Sequence, residues 1–91
     1  MMTPEIRQQV RIGLLRYLEA AKPRALSGSL LHSFLRAEGM PVEPEGLRAE
    51  LAYLADKGMA ARSSSPMSPE LAGWRITAAG RDWLAEEGIT P

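Results

Sequence analysis

Two short apolar stripes, each closed by a glycine, constrain this chain more than any other feature of its sequence. Leu30, Leu31, Phe34 and Leu35 recur at helical spacing ahead of Gly39. Leu47, Leu51 and Leu54 recur at spacings of four and three ahead of Gly58. Glycine enters the left-handed region at little cost, so each stripe reads as a helix with a defined stop. Ser27 or Ser29 can cap the first, and Pro44 suits the opening turn of the second. Glu43 and Glu45 there suit the positive end of the helix dipole. Helices are therefore expected over about 29–38 and 44–57, joined by roughly four to five residues, which is the layout of a helix-turn-helix. The four apolar residues of the first stripe should face inward, leaving His32, Ser33 and Arg36 outside.

The flanks extend the pattern. Ile6, Val10, Leu14, Tyr17 and Leu18 mark a helix over about 5–20, with Thr3 as cap, Pro4 at its first position and Lys22-Pro23 ending it. Ile12 and Leu15 lie off that stripe; they read either as a patch for self-association or as residues buried against the last helix and Trp83. Residues 24–28 read as a connector from which Leu26 can dip into the core. After Gly58, the segment from Met59 to Arg62 is weakly strand-like. GWRIT is a clearer strand, with Trp74 and Ile76 on one face and Arg75 and Thr77 on the other. SSSPMSPELAG, residues 63–73, with two prolines and four serines, reads as the loop between them. The expected hairpin spans about 59–77. Thr77 then caps a final helix over about 78–87, in which Gly80 permits close backbone packing, and Thr90-Pro91 is a frayed end.

Size and charge limit what such a chain can do. Ninety-one residues suffice for one domain, expected to span 1–91. The absence of cysteine excludes disulfides and thiolate metal sites and suits a cytoplasmic location. No apolar run approaches the ~20 residues of a membrane span, and MMTPEIRQQVR has no apolar signal core. His32 is the only histidine, so no zinc site is expected. No nucleophile motif and no glycine-rich phosphate cradle are present. The reading is thus of a non-enzyme without catalytic residues, cofactor or metal. Eleven basic residues balance eleven acidic ones, so any contact with nucleic acid needs local clustering of charge.

The pattern from Leu47 through Leu51 and Leu54 to Gly58-Met59, then Trp74-Arg75-Ile76-Thr77 and Gly80, resembles the winged helix-turn-helix family over about residues 5–87. The fold this implies is mainly α with a small antiparallel β-hairpin. LLRYLEAA, SLLHSFLRAEG and LRAELAYLADKG are also similar to small winged-helix proteins of Mu-like phages and prophages. The resemblance implies that the third helix enters the major groove of double-stranded DNA and that the wing touches the adjacent backbone. By position, it assigns groove-facing roles to Glu45, Arg48, Ala49, Ala52 and Tyr53, with Arg62 and Arg75 flanking the wing. The chain departs from a strong DNA binder in placing Glu, Ala and Ala at three of these positions. Its wing tip carries Glu70 and no basic residue.

Each candidate has a plainer reading beside the functional one. Arg48 either bonds guanine or pairs with Glu45 one turn back. Tyr53 either touches sugar and phosphate or packs beside the leucine stripe. Arg62, Arg75 and Lys57 either contact phosphate or are ordinary surface charge. Glu50 and Asp56 oppose Arg48 and Lys57 on the third helix. Two functions follow: a small phage-type transcriptional regulator that binds DNA, plausible as a homodimer, or an adaptor whose helix and wing bind a protein partner.

Overall fold

Side-chain caps set where the helices begin. Helix α1, Pro4–Ala21, opens on Thr3, whose hydroxyl accepts from the Ile6 amide. Helix α2, Gly28–Ala37, opens on Ser27, which accepts from the Leu30 amide. Helix α3, Pro44–Asp56, has Pro44 in its first turn, where a missing amide N–H costs nothing. Helix α4, Ala78–Glu86, opens on Thr77. The computed structural model describes residues 3–63 and 73–88. The expected wing tip with Glu70 and the frayed end at Thr90-Pro91 lie outside the described residues.

Helices α2 and α3 end where glycine permits. Gly39 has φ +79° and Gly58 has φ +74°, and each is followed by an amide that bonds back into the helix: Met40 to Leu35 and Met59 to Leu54, both at 2.9 Å. Residues 38–43 separate α2 from α3. After Gly58 the chain enters β1, Ala60–Ser63, which pairs antiparallel with β2, Gly73–Ile76; Ala60 faces Ile76 and Arg62 faces Trp74. Ser63, expected in the loop, pairs with Gly73, the first residue of the expected GWRIT strand, in the last described rung of this ladder.

The segment at 24–28 is more than a connector. Leu26 donates to and accepts from Trp74, at 2.9 and 2.8 Å, along the β2 edge that β1 leaves open. One residue thus acts as a third strand and shields the hairpin's backbone. The chain also closes on itself between α3 and α4. Thr77 Oγ1 donates to the Gly58 carbonyl and accepts from the Gly80 amide, while the Thr77 amide donates to the Met59 carbonyl. Gly80 lies so close to the Met59 carbonyl that a Cβ has no room there, as its place in the first turn of α4 suggested.

The elements share one interior. Leu14 and Leu18 of α1, Leu31 and Leu35 of α2, Leu51 and Leu54 of α3 and Leu84 of α4 are buried together, with Trp74 and Ile76 packed against them. Each such leucine contributes on the order of 2 kcal/mol. Two expectations need correction. Leu30, expected inward, is 42% exposed, because α2 is apolar over a wider arc than α1 and α3 cover. His32, expected outside, is partly buried, with Nε2 2.9 Å from the Val42 carbonyl. That nitrogen must carry the proton, since a carbonyl only accepts. Of the two readings open for Ile12 and Leu15, burial holds: Leu15 is fully buried and lines one cavity with Trp83, and Ile12 is half-buried.

Candidate nucleic-acid interface

Two arginines distant in sequence meet at one groove. Arg48 leaves α3 in its second turn, at the edge of the leucine stripe that faces the hairpin. Arg62 lies on β1. In an antiparallel ladder, directly paired residues share a face and successive residues alternate. Arg62 therefore shares the face of Trp74, Ala60 and Ile76, which packs on the core. Its guanidinium lies 5.2 Å from the Trp74 ring, a favourable cation–π contact. Arg48 and Arg62 line a common groove of about 600 Å³ with Ser29 and Ser33 of α2, Leu51 and Trp74. None of the described residues lining it is acidic. A chain of zero net charge thus has a locally positive groove.

The acid that most directly opposed this helix is elsewhere. Glu50, expected beside Arg48 and Lys57 on the surface, is 6% exposed and faces α1. Its carboxylate takes Arg11 Nε at 2.5 Å and Arg7 Nε at 3.5 Å. Arg48 makes no ion pair with Glu45 among the described residues, so the local pairing weighed for it does not form.

The remaining candidates separate into three places. Glu45, Ala49 and Ala52 are exposed on the outward face of α3, next to Arg48. Tyr53, expected with them, is half-buried on the opposite edge of the helix. Arg11 lies over its ring at 3.7 Å from the centroid, and Tyr53 packs near Leu15 and Trp83. Lys57 is the C-cap of α3, and its ammonium approaches the same ring at 5.9 Å. Arg75 is exposed but pairs with Ala61, on the hairpin face opposite Arg62. The two arginines expected to flank the wing together are thus on opposite sides of it. Ser29 and Ser33 were not singled out for the site; Ser33 Oγ donates to the Ser29 carbonyl, so its proton is held within α2, while Ser29 is exposed. Only the register of the hairpin and the packing of α2 on α3 bring them in.

Three helices, a short turn between the second and third, a two-stranded wing and a closing helix define a winged helix-turn-helix fold. No protein-family model matches the chain, and no curated protein sequence matches it. Solved structures do. The chain is similar to a proposed transcriptional regulator from Thermoplasma acidophilum, with a TM-score of 0.75 and 19% identity, over 94% of this chain and 81% of that one. It is similar to a MarR family transcriptional regulator from Silicibacter pomeroyi, with a TM-score of 0.69 and 24% identity, over 92% of this chain and 57% of that one. It is also similar to Streptococcus pneumoniae FabT, solved in complex with DNA, with a TM-score of 0.61 and 15% identity, over 96% of this chain and 52% of that one. The chain spans little more than half of the last two proteins.

Proposed function

We propose that the protein binds double-stranded DNA as a small transcriptional regulator, with one winged-helix domain over residues 1–91 and no catalytic role. One observation carries the reading: Arg48 of α3 and Arg62 of the wing converge on a groove whose described lining has no carboxylate. A phosphate backbone seated along this groove meets two guanidinium forks and the Ser29 hydroxyl, while the exposed face of α3 turns into the adjacent major groove. The MarR family regulator and the DNA-bound FabT share this fold, which supports the proposal. The phage-type origin rests on the resemblance of LLRYLEAA, SLLHSFLRAEG and LRAELAYLADKG to proteins of Mu-like phages. A DNA-bound role places the protein in the cytoplasm; no helix among the described residues is long and apolar enough to cross a membrane.

The positions of these side chains support a narrower set of contacts than the resemblance implied. Arg48 and Arg62 hold the backbone, and Ala49 lies against the bases. Tyr53 and Lys57 support α3 from the side facing α1, and Arg75, on the hairpin face away from the groove, makes no backbone contact. Two phosphate contacts per chain are few, so a two-fold dimer that doubles them is part of the proposal. The rival, an adaptor that binds a protein partner, is favoured by the balance of eleven basic and eleven acidic residues.

Fluorescence anisotropy with mixed-sequence duplex DNA across a salt series separates the two. Log affinity is expected to fall with log salt with a slope of about −2 or steeper, because each neutralised phosphate contributes about 0.9. Millimolar or weaker binding at low salt with no slope leaves the adaptor.

A further inference from the structure

The outward face of α3 is chemically selective in a way that backbone attachment does not require. Glu45, Ala49 and Ala52 are exposed and, at 3.6 residues per turn, fall within an arc of about 60°. Arg48 borders that arc on the side of the basic groove. The face itself therefore offers one acceptor-only carboxylate and two methyl groups, with the guanidinium left to the groove. Phosphate repels a carboxylate, so Glu45 has no use in holding the backbone. It also forms no ion pair among the described residues. Asp56, the other exposed acid of this face, lies about 16 Å further along the helix axis at 1.5 Å per residue, beyond the basic groove.

The major groove presents a complement to each of these groups. The cytosine N4 amino group is the donor that a carboxylate accepts, and the thymine C5 methyl is the apolar contact that alanine makes. We propose that α3 selects its site by taking a cytosine with Glu45 and thymine methyls with Ala49 and Ala52. This rests on the DNA-binding reading above and specifies the sequence class bound by the same helix. The plainer role for Glu45 is charge at the first turn of a helix, and that role has no base preference.

The experiment selects bound sequences from a randomised duplex pool with the full chain. Affinities are then compared for the selected duplex, for one with the preferred cytosine replaced, and for one with deoxyuridine in place of thymine. The wild type is expected to prefer the cytosine duplex by about tenfold. It should lose about fourfold for each contacted methyl removed. Glu45→Ala is expected to bind the cytosine duplex and its replacement within about twofold of each other. The proposal is overturned if Glu45→Ala tightens binding to every duplex by the same factor with the preference intact, or if deoxyuridine has no effect. Absence of any salt-dependent duplex binding overturns the DNA-binding reading as well, whereas the former results leave that reading standing.

Discussion

Glu50 and Arg11 face each other across the α1–α3 interface, with carboxylate and guanidinium 2.5 Å apart and Arg7 completing the cluster at 3.5 Å. This pair fixes the rotation of α3 about its own axis. The same arginine covers Tyr53, so one guanidinium grips the helix at two points separated by nearly one turn. Glu50→Gln keeps the shape of the side chain and removes its charge. Arg11 is left without its anion but retains partial access to water, with a side chain 21% exposed. The expected cost is about 1.5 kcal/mol, well short of an uncompensated charge in a dry interior. Urea unfolding should show the midpoint falling with the slope unchanged. A shift below about 0.5 kcal/mol would mean that the cluster is ordinary surface charge.

Gly80 reverses the usual ranking of alanine and glycine in a helix. By propensity alone, Gly80→Ala would stabilise α4 by about 1 kcal/mol. The added Cβ, however, would sit inside the Met59 carbonyl oxygen and 2.8 Å from Ile76 Cγ1. Backbone must move, and with it the hydrogen bonds that join Thr77 to Gly58 and Met59. Net destabilisation of at least about 2 kcal/mol is expected. Gly28→Ala is the control, since nothing lies within 4 Å of its added Cβ. If both variants gain stability in thermal melts, the close approach of α4 to the end of α3 is wrong.

The contrast between these residues shows what the sequence made legible. Gly39, Gly58, Pro44 and Thr77 act on their own few neighbours, so the ends of the helices could be read locally and fall within one or two residues of expectation. Leu26, Glu50 and Arg62 could not be read that way. Leu26 pairs with Trp74, 48 positions away, and Glu50 pairs with Arg11, 39 positions away. Nothing in the residues adjacent to either one signals that partner. The face of Arg62 depended on a register, because shifting a strand by one residue exchanges its two faces. Tyr53 was left between two readings for a related reason: it lies one residue from the leucine stripe, and only the position of α1 decides which edge of α3 is covered.

Leu30 and Leu31 test the width of the buried arc on α2. Leu31 is fully buried and Leu30 is 42% exposed. Leu31→Ala should cost about 2–5 kcal/mol through lost burial and the cavity left behind. Leu30→Ser should change stability by less than about 0.5 kcal/mol. Chemical denaturation of the two variants side by side is sufficient. Equal losses would show that α2 is rotated relative to the arrangement described here.

Arg62 and Arg75 lie thirteen positions apart on the two strands of one hairpin and carry the same charge, yet they face opposite ways. If the groove between α2, α3 and the wing seats a phosphate backbone, Arg62→Ala removes one contact and lowers the magnitude of the salt slope by about 0.9. Arg48→Ala, Arg62→Ala together should lower it by about 1.8. Arg75→Ala changes net charge by the same amount but touches nothing in the groove, so its slope should stay within about 0.3 of the wild type. Bulk charge attraction would make the two single variants equal. Anisotropy titrations on one duplex at several salt concentrations distinguish these cases, and equal slopes for Arg62→Ala and Arg75→Ala would remove the groove from the interface.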